Sequence, residues 1–417
     1  MLSAPRRHFE LLYRARDFRL LFEATAASGI GTWLAVIALT VDVYDRTHSA
    51  KWVSALLIAD FLPAIAVGLL LGPLIDRLSR RTLMIEADLV RLVVFVALVF
   101  ADSATTIVVL AAVAGFATGF FRPASFAGLP NLVDDADLPA ASSLLRSTDY
   151  LTTVVGTLLG GIVAAAVGPD LSYGVNAATF GVSAVLLTGI PAARFGVPTT
   201  ESRGHWLDVK DGFSLIFGSR ALLAVFISWN LVMFANASVN VSEIVLAKVS
   251  FDSGSFGYGL LWCGSGVGMV VGSLYAATWL EHRSISFVYG ASLGLMSFGA
   301  LTAAVSPNVW VAAVCLTLAG CGNGSAVVCN YLLVQRGAPD NLRGRALAAI
   351  MSVNFALLGI GMAVAGPITD TIGPRWMFGI AAAVAGFAAL VGRAMTRGIS
   401  SPSTVEESEP HPVSATG

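Results

Sequence analysis

Long apolar segments separated by short polar connections run along almost the entire chain. A helix that crosses the hydrocarbon core of a bilayer needs about 20 predominantly apolar residues. Twelve segments reach that length. They are residues 18–42, 52–75, 83–101, 105–129, 140–167, 171–193, 221–247, 256–280, 285–305, 308–334, 345–370 and 375–395. The pattern therefore predicts an all-α integral membrane protein with twelve transmembrane helices.

One connection is both long and polar, and it divides the predicted helices six and six. It covers residues 194–220, which we interpret as a cytoplasmic central loop. This division predicts an N-terminal six-helix bundle at 1–193 and a C-terminal six-helix bundle at 221–395. The tail at 396–417 is rich in Ser, Pro and Glu, a composition typical of disordered segments.

The two predicted bundles resemble one another at a spacing of about 204 residues. Residues 132–169 read LVDDADLPAASSLLRSTDYLTTVVGTLLGGIVAAAVGP, and residues 334–374 read VQRGAPDNLRGRALAAIMSVNFALLGIGMAVAGPITDTIGP. Both segments run from a loop with Asp and Pro, through a glycine-rich helix, to Gly-Pro at the other side. Duplicated halves are typical of secondary transporters, which hold their substrate between the halves near the middle of the membrane.

Composition supports a membrane protein and excludes several other classes. Apolar residues make up 56% of the chain and charged residues only 12%, whereas soluble domains carry roughly 25% charged residues. The net charge of −1 gives no indication of a nucleic-acid partner. The four cysteines lie in apolar stretches without metal-ligand spacing, so we expect neither a metal nor a cofactor. No obligate protein partner is predicted.

Basic residues predict the orientation in the membrane. Of the 25 Lys and Arg, eighteen lie at the ends of the predicted helices on the side of the N-terminus, and four lie on the opposite side. Cytoplasmic segments are the ones enriched in Lys and Arg. We therefore expect a multi-pass protein of the cell membrane with both termini in the cytoplasm.

A basic motif, GPLIDRLSRR at residues 72–81, follows the second predicted helix. Its glycine permits close approach of another backbone, its aspartate is an acceptor on a tight turn, and its arginines complement the negative C-terminal dipole of the helix. The candidate gating residues are Gly72, Asp76, Arg77, Arg80 and Arg81.

This motif resembles the signature loop of the major facilitator superfamily, with Ser79 in place of the usual second glycine. The chain also resembles the drug:proton antiporter branch that includes macrolide and siderophore exporters. That resemblance rests on FRLLFEATAASGIGTW at 18–33, VYDRTHSA at 43–50, ADLVR at 87–91 and PDNLRGR at 339–345. It implies the superfamily fold of two pseudo-symmetric bundles, transport by alternating access, and a gating role for residues 72–81.

Departures from the family pattern concern the antiporter elements. The usual G-P-x-x-G-G of the fifth helix retains Gly156, Gly160 and Gly161, but Thr157 replaces the kinking proline. The arginine expected in the middle of the fourth helix is absent, and Arg122 lies nearer the cytoplasm. The equivalent of the signature loop in the second half has lost its aspartate. Direction and ion coupling are therefore less firmly implied than the fold.

Charged residues inside predicted spans are candidates for ion coupling, because a charge in the hydrocarbon core is costly without a partner. Asp60 is the deepest acid, and we assign it and Glu23 as candidates for proton coupling. Asp60 could instead be a structural acid bonded to another helix, and Glu23 could reach the interface and pair with an arginine. The residues predicted to form structural ion pairs are Asp88, Arg91, Arg122, Arg146 and Asp149.

The resemblance implies that the first, fourth, seventh and tenth helices line the substrate cavity. Polar or aromatic residues near the middle of these helices are Trp33, Asn230, Asn236, Asn323 and Asn330. Asparagine amides need partners in a membrane, so they should face inward. Whether they touch substrate or only neighbouring helices stays open. A cavity with few fixed charges suits a bulky, largely apolar ligand.

The favoured function is proton-coupled export of a drug-like compound, with lipid, protons and a small molecule as the only partners. The chain has no Walker loop, which excludes ATP hydrolysis as the energy source. An uptake carrier or uniporter for a neutral metabolite is the first alternative. A scaffold or sensor on a transporter fold is another. A membrane prenyltransferase is a remote alternative, based on the acidic segment NLVDDAD at 131–137.

Overall fold

The computed structural model describes residues 10–70, 78–195, 205–339 and 342–399. Three predicted gating residues, Gly72, Asp76 and Arg77, lie outside these ranges, as does most of the tail predicted to be disordered. The described residues form α-helices joined by short connections, and no strand occurs among them.

Twelve long helices account for most of the described chain. They are α1 Arg16–Thr47, α2 Ala50–Leu70, α3 Arg80–Leu98, α4 Ala104–Gly128, α5 Leu138–Ala166, α6 Pro169–Thr188, α7 Arg220–Val245, α8 Gly254–His282, α9 Ile285–Ala304, α10 Val309–Gly337, α11 Arg343–Ile372 and α12 Pro374–Thr396. Eleven are long and apolar enough to cross a membrane. The exception is α3, because Glu86, Asp88 and Arg91 follow the two arginines of its first turn. The predicted fold class is confirmed.

We call the side where α1 begins the near face and the side where it ends the far face. Five helices begin with an N-cap residue whose side chain closes the first turn, and four of these residues are serines and one is an asparagine. Each of these side chains accepts a hydrogen bond from a backbone N–H in the first turn, which satisfies a donor that the helix itself leaves free. The five capping residues are Ser79, Ser103, Ser219, Ser284 and Asn308.

The Gly-Pro pairs of the sequence repeat form equivalent corners at the far face. Gly168 has φ 97° before Pro169, and Gly373 has φ 90° before Pro374. Only glycine adopts such angles without strain, and proline is well suited to the first turn of the helix that follows. The same chemistry therefore turns the chain from α5 into α6 and from α11 into α12.

The helices of the second half pack on one another in the same pairs as the corresponding helices of the first half. In the first half, α1 packs on α5 and α6, α2 on α4, and α3 on α4 and α6. In the second half, α7 packs on α11 and α12, α8 on α10, and α9 on α10 and α12. The halves meet along α2 with α11 and along α5 with α8. This arrangement is the pseudo-symmetry expected from the repeat.

The segment predicted as a polar central loop contains a helix of its own, His205–Gly218. This linker helix packs on α11 and α7. Ile216 is fully buried, and Phe213 packs against the same hydrophobic cluster of the second half. These apolar residues, three positions apart, give the helix one buried face. The interpretation of 194–220 as a loop missed this short amphipathic pattern.

Candidate functional site

A chamber of two adjoining lobes lies between the halves. One lobe, of about 460 Å³, is lined mainly by helices of the second half, and we call it the C-lobe. The other, of about 590 Å³, is lined mainly by helices of the first half, and we call it the N-lobe. Trp33, Arg122 and Asp149 line both lobes and mark their junction. Each volume is in the range of drug-sized binding sites.

The structure brings three of the five predicted cavity residues into the chamber. Trp33, Asn236 and Asn323 line the C-lobe. Asn230 lines neither lobe, and its Nδ2 donates to the carbonyl of Phe226 at 2.6 Å. Six residues separate it from Asn236, and at about 100° per residue the two side chains face different sides of α7.

Asn330 is buried beside a separate small cavity within the second half. Its seven-residue spacing from Asn323 puts it on the same side of α10, as predicted. Seven residues also correspond to about 10 Å along the helix axis. This displacement carries Asn330 past the chamber toward the near face.

The two acids proposed for proton coupling have different environments. Asp60 is half-buried and lines the N-lobe. No hydrogen bond or ion pair joins its carboxylate to any residue that the structure describes. Glu23 lies near the start of α1, exposed, with its carboxylate 3.8 Å from Arg19. It lines neither lobe, so this geometry favours the interface alternative for Glu23.

Asp88 and Arg91 form a buried ion pair in the first half. Asp88 also accepts a hydrogen bond from the hydroxyl of Ser183 at 2.6 Å. The guanidinium of Arg91 lies between two aromatic rings, 4.7 Å from the centroid of Phe121 and 4.3 Å from that of Phe180. Arg91 also reaches the N-lobe. The pair therefore joins α3 to α6 at the wall of the chamber.

A second ion pair stands where the lobes meet. Arg122 donates to Asp149 at 2.8 Å. Arg146, which was also predicted to form a structural ion pair, lies over the ring of Phe126, with its guanidinium carbon 5.9 Å from the ring centroid. All three charged residues line the C-lobe. The prediction of a chamber with few fixed charges was therefore wrong. Charged side chains of membrane helices turn toward a cavity because lipid cannot solvate them.

Sequence reasoning missed Glu243. This residue of α7 is 2% exposed and lines the C-lobe. Its Oε1 forms no hydrogen bond with the residues that the structure describes. The sequence does place Glu243 inside the predicted span 221–247. A carboxylic acid in a membrane span is a candidate for ion coupling, as Asp60 is.

Arg80 and Arg81 of the predicted gating motif hold helix ends together within the first half. Arg80 donates to the carbonyl of Ala127 at 2.8 Å, near the end of α4. Arg81 donates to the carbonyls of Leu187 at 3.1 Å and Thr188 at 2.7 Å, at the end of α6. Cations at these positions complement the negative C-terminal dipoles of both helices.

The three antiporter-like glycines of α5 have two different neighbours. A Cβ at Gly156 would lie 2.7 Å from the carbonyl oxygen of Ile30, and one at Gly160 would lie 2.7 Å from that of Leu34. These two glycines therefore let α5 pack closely on α1. A Cβ at Gly161 would lie 2.9 Å from the Cα of Gly259 in α8. Gly161 thus permits close contact between the halves.

Polar contacts close the chamber at the far face. Asp370, at the end of α11, accepts hydrogen bonds from the backbone N–H of Ala50 at 2.7 Å and from the hydroxyl of Ser49 at 2.7 Å. An ion pair between Lys248 and Asp45 joins the ends of α7 and α1. Each contact crosses from one half to the other.

Hydrophobic clusters also join the two halves at the far face. A cluster at the far face contains residues of both halves, among them Ile37, Tyr44, Leu57, Val241, Tyr258 and Met362. At the near face, one cluster lies wholly within residues 11–195 and another wholly within residues 213–399. The hydrophobic core therefore joins the halves at the far face, and the structure represents a state closed on that side.

Asp370→Ala should weaken this far-face closure. Because Asp370 is exposed, we expect its loss to cost about 1 kcal/mol, which raises the population of the far-open state about fivefold. Spin labels at Val167→Cys and Val249→Cys, both exposed at the far face on opposite halves, would report the change as longer distances. The native cysteines are first replaced. Asp102→Ala, an exposed acid at the same face without a cross-half contact, is the matched control and should leave the distances unchanged.

A family model described as the Major Facilitator Superfamily matches residues 21–361 and 232–415. The multidrug efflux pump Tap of Mycobacterium tuberculosis is 26% identical over 378 residues, which cover 86% of this chain and 88% of Tap. The enterobactin exporter EntS of Salmonella typhimurium is 27% identical over 395 residues, which cover 92% of each chain.

Among solved structures, the nucleoside transporter NupG aligns with a TM-score of 0.73 at 14% identity. The alignment covers 91% of this chain and 99% of NupG. At that identity the likeness concerns the fold. It agrees with the arrangement of two six-helix halves around a central chamber.

Proposed function

Because the chain belongs to the Major Facilitator Superfamily, we propose that it exports a bulky, largely apolar small molecule across the cell membrane in exchange for protons. The observation that carries the proposal is the chamber between the halves, with the unpaired carboxylate of Asp60 in its wall. A cavity shared by two pseudo-symmetric bundles can open to one side at a time as the bundles rock around it.

Membership of the family confirms the resemblance noted in the sequence. The chain is a multi-pass membrane transporter of small molecules and not an enzyme. This excludes the prenyltransferase alternative that rested on residues 131–137.

Export is the direction favoured by the relatives, because Tap and EntS are named an efflux pump and an exporter. The basic residues clustered on the side of the N-terminus support the near face as the cytoplasmic one. In the state closed at the far face, the chamber then belongs to the cytoplasmic side, where an exporter takes up its substrate. Both termini lie in the cytoplasm in this orientation.

Asp60 is the proposed proton carrier. A carboxyl group in the chamber wall that pairs with no cation among the described residues is better tolerated neutral than charged when water is excluded. When the chamber opens to the far side, Asp60 takes up a proton. When it opens to the near side, Asp60 releases the proton and substrate binds. The proton gradient then drives the substrate outward.

Inverted membrane vesicles test this proposal. Substrate added to vesicles with an established pH gradient should dissipate the gradient, and an uncoupler should stop substrate accumulation. Because substrates are unidentified, candidates come from a growth screen of an expressing strain against toxic compounds. A uniporter would move substrate without consuming the gradient, and an uptake carrier would raise accumulation in whole cells. Either result would contradict proton-coupled export.

A further inference from the structure

The closed end of the C-lobe contains a carboxylate that the proposed proton cycle does not use. Glu243 is 2% exposed and lines the C-lobe, and its Oε1 forms no hydrogen bond within the described part of the chain. A buried ionised carboxylate without a counter-charge is strongly destabilising. A bound cation or a proton would stabilise this carboxylate.

The neighbouring cations are engaged elsewhere. Lys248, on the turn that continues α7, pairs with Asp45. Arg375 donates to the carbonyl of Ala304 at 2.9 Å. At the other end of the lobe, Arg122 pairs with Asp149. Arg146 also lines the lobe, and its guanidinium lies over the ring of Phe126. No ion pair to Glu243 is present among the described residues.

Aromatic rings line the same region. The rings of Trp33 and Trp262 lie 5.7 Å apart, and those of Tyr258 and Trp262 lie 6.5 Å apart. Trp33 comes from the first half and Trp262 from the second, and both line the C-lobe. The indole N–H of Trp262 and the hydroxyl of Tyr258 are buried beside one another, and neither forms a hydrogen bond of good geometry with the described residues. Buried polar atoms left unsatisfied are rare in native proteins, so these groups are available to a molecule bound in the lobe.

We propose that Glu243, Trp33 and Trp262 form a binding subsite for an organic cation, so that substrates carry a positive charge at one end. The carboxylate supplies the counter-charge, and the faces of the indole rings attract the cation. The C-lobe then holds the charged end, and the N-lobe accommodates the apolar body. The inference rests on the proposed function for its transport role, but binding itself requires no proton gradient.

The position of the subsite gives it access to both halves. Trp33 and Trp262 contact each other across the interface between α1 and α8, and a cation that packs against this ring pair contacts both bundles at once. Asp60 lies in the other lobe. Cation recognition and proton transfer therefore fall on separate carboxylates.

Binding of tetraphenylphosphonium and tetraphenylborate, which share a shape and differ in sign, tests the subsite. The full-length protein in nanodiscs, studied by equilibrium dialysis, should bind the phosphonium at least about tenfold more tightly than the borate. Glu243→Gln should weaken phosphonium binding about 30-fold, because truncating one side of a buried charge pair has a large cost. Glu23→Gln, at an acid outside the chamber, is the matched control and should bind like the unmodified protein.

Trp262→Leu keeps the carboxylate and removes one ring, and should weaken phosphonium binding about fivefold. It provides a second measurement if Glu243→Gln does not fold. Unchanged phosphonium affinity in either folded variant would overturn the proposal. In Glu243→Gln the side-chain volume is preserved, so a change in affinity reports the lost charge and not a change in packing. The export proposal fails separately: vesicles without substrate-driven proton flux would refute it even if the phosphonium selectivity and its loss in Glu243→Gln are observed.

Discussion

Asp60→Asn is expected to abolish proton-coupled export, with substrate-driven proton flux in inverted vesicles falling to the background of empty vesicles. Asparagine has nearly the same size and polarity as aspartic acid but cannot gain or lose a proton. The side chain lines the N-lobe and makes no hydrogen bond or ion pair with the described residues, so the exchange should leave the fold intact. Substrate binding in the absence of a gradient should persist.

The control for this prediction is Glu23→Gln, which changes an exposed acid near the start of α1 that pairs with Arg19. It should export at close to the unmodified rate. Asp60→Glu keeps a titratable group in the lobe and should retain partial activity. If Asp60→Asn acidifies or alkalinises the vesicle lumen as the unmodified protein does, then Asp60 is not the proton carrier.

Arg91→Met should destabilise the first half by about 3–5 kcal/mol, because it leaves Asp88 buried without its counter-charge. Arg91 is 4% exposed and Asp88 is 0% exposed, so solvent compensates little of the lost interaction. The methionine also gives up the contacts of the guanidinium with Phe121 and Phe180. The expected observation is a clear fall in the midpoint temperature of thermal unfolding in detergent.

A double variant separates charge from packing. Asp88→Asn in the Arg91→Met background removes the orphaned charge and should recover part of the lost midpoint temperature, since contacting residues are not additive. The hydroxyl of Ser183 can still bond the amide. A single variant Arg91→Met with an unchanged midpoint would show that the pair contributes nothing to stability.

The fold could be read from the sequence because lipid permits few solutions. Every backbone polar group in the bilayer must be satisfied internally, so long apolar segments become helices. The repeat and the Gly-Pro corners at Gly168 and Gly373 then pointed to two equivalent halves. The linker helix escaped detection because its amphipathic pattern spans only 14 residues in a segment rich in charge.

The site was less accessible to sequence reasoning, since depth and helix phase decide which residues line the chamber. Asn236 and Asn323 line it, but Asn230 faces another side of its helix. Arg122 reaches Asp149 through a contact between α4 and α5 that no spacing in the sequence reveals. Glu243 differs from these cases, because its intramembrane charge was visible and only its proximity to the aromatic pair required coordinates.

The central claim is that two rigid halves rock around a shared chamber, and paired distances across both faces test it most directly. One spin-label pair is Val167→Cys with Val249→Cys at the far face. The other is Asp135→Cys with Glu281→Cys, exposed positions on opposite halves at the near face. On a shift from neutral to acidic pH, the far-face distances should lengthen while the near-face distances shorten. Distances that stay fixed at both faces, or that lengthen together, would contradict the account.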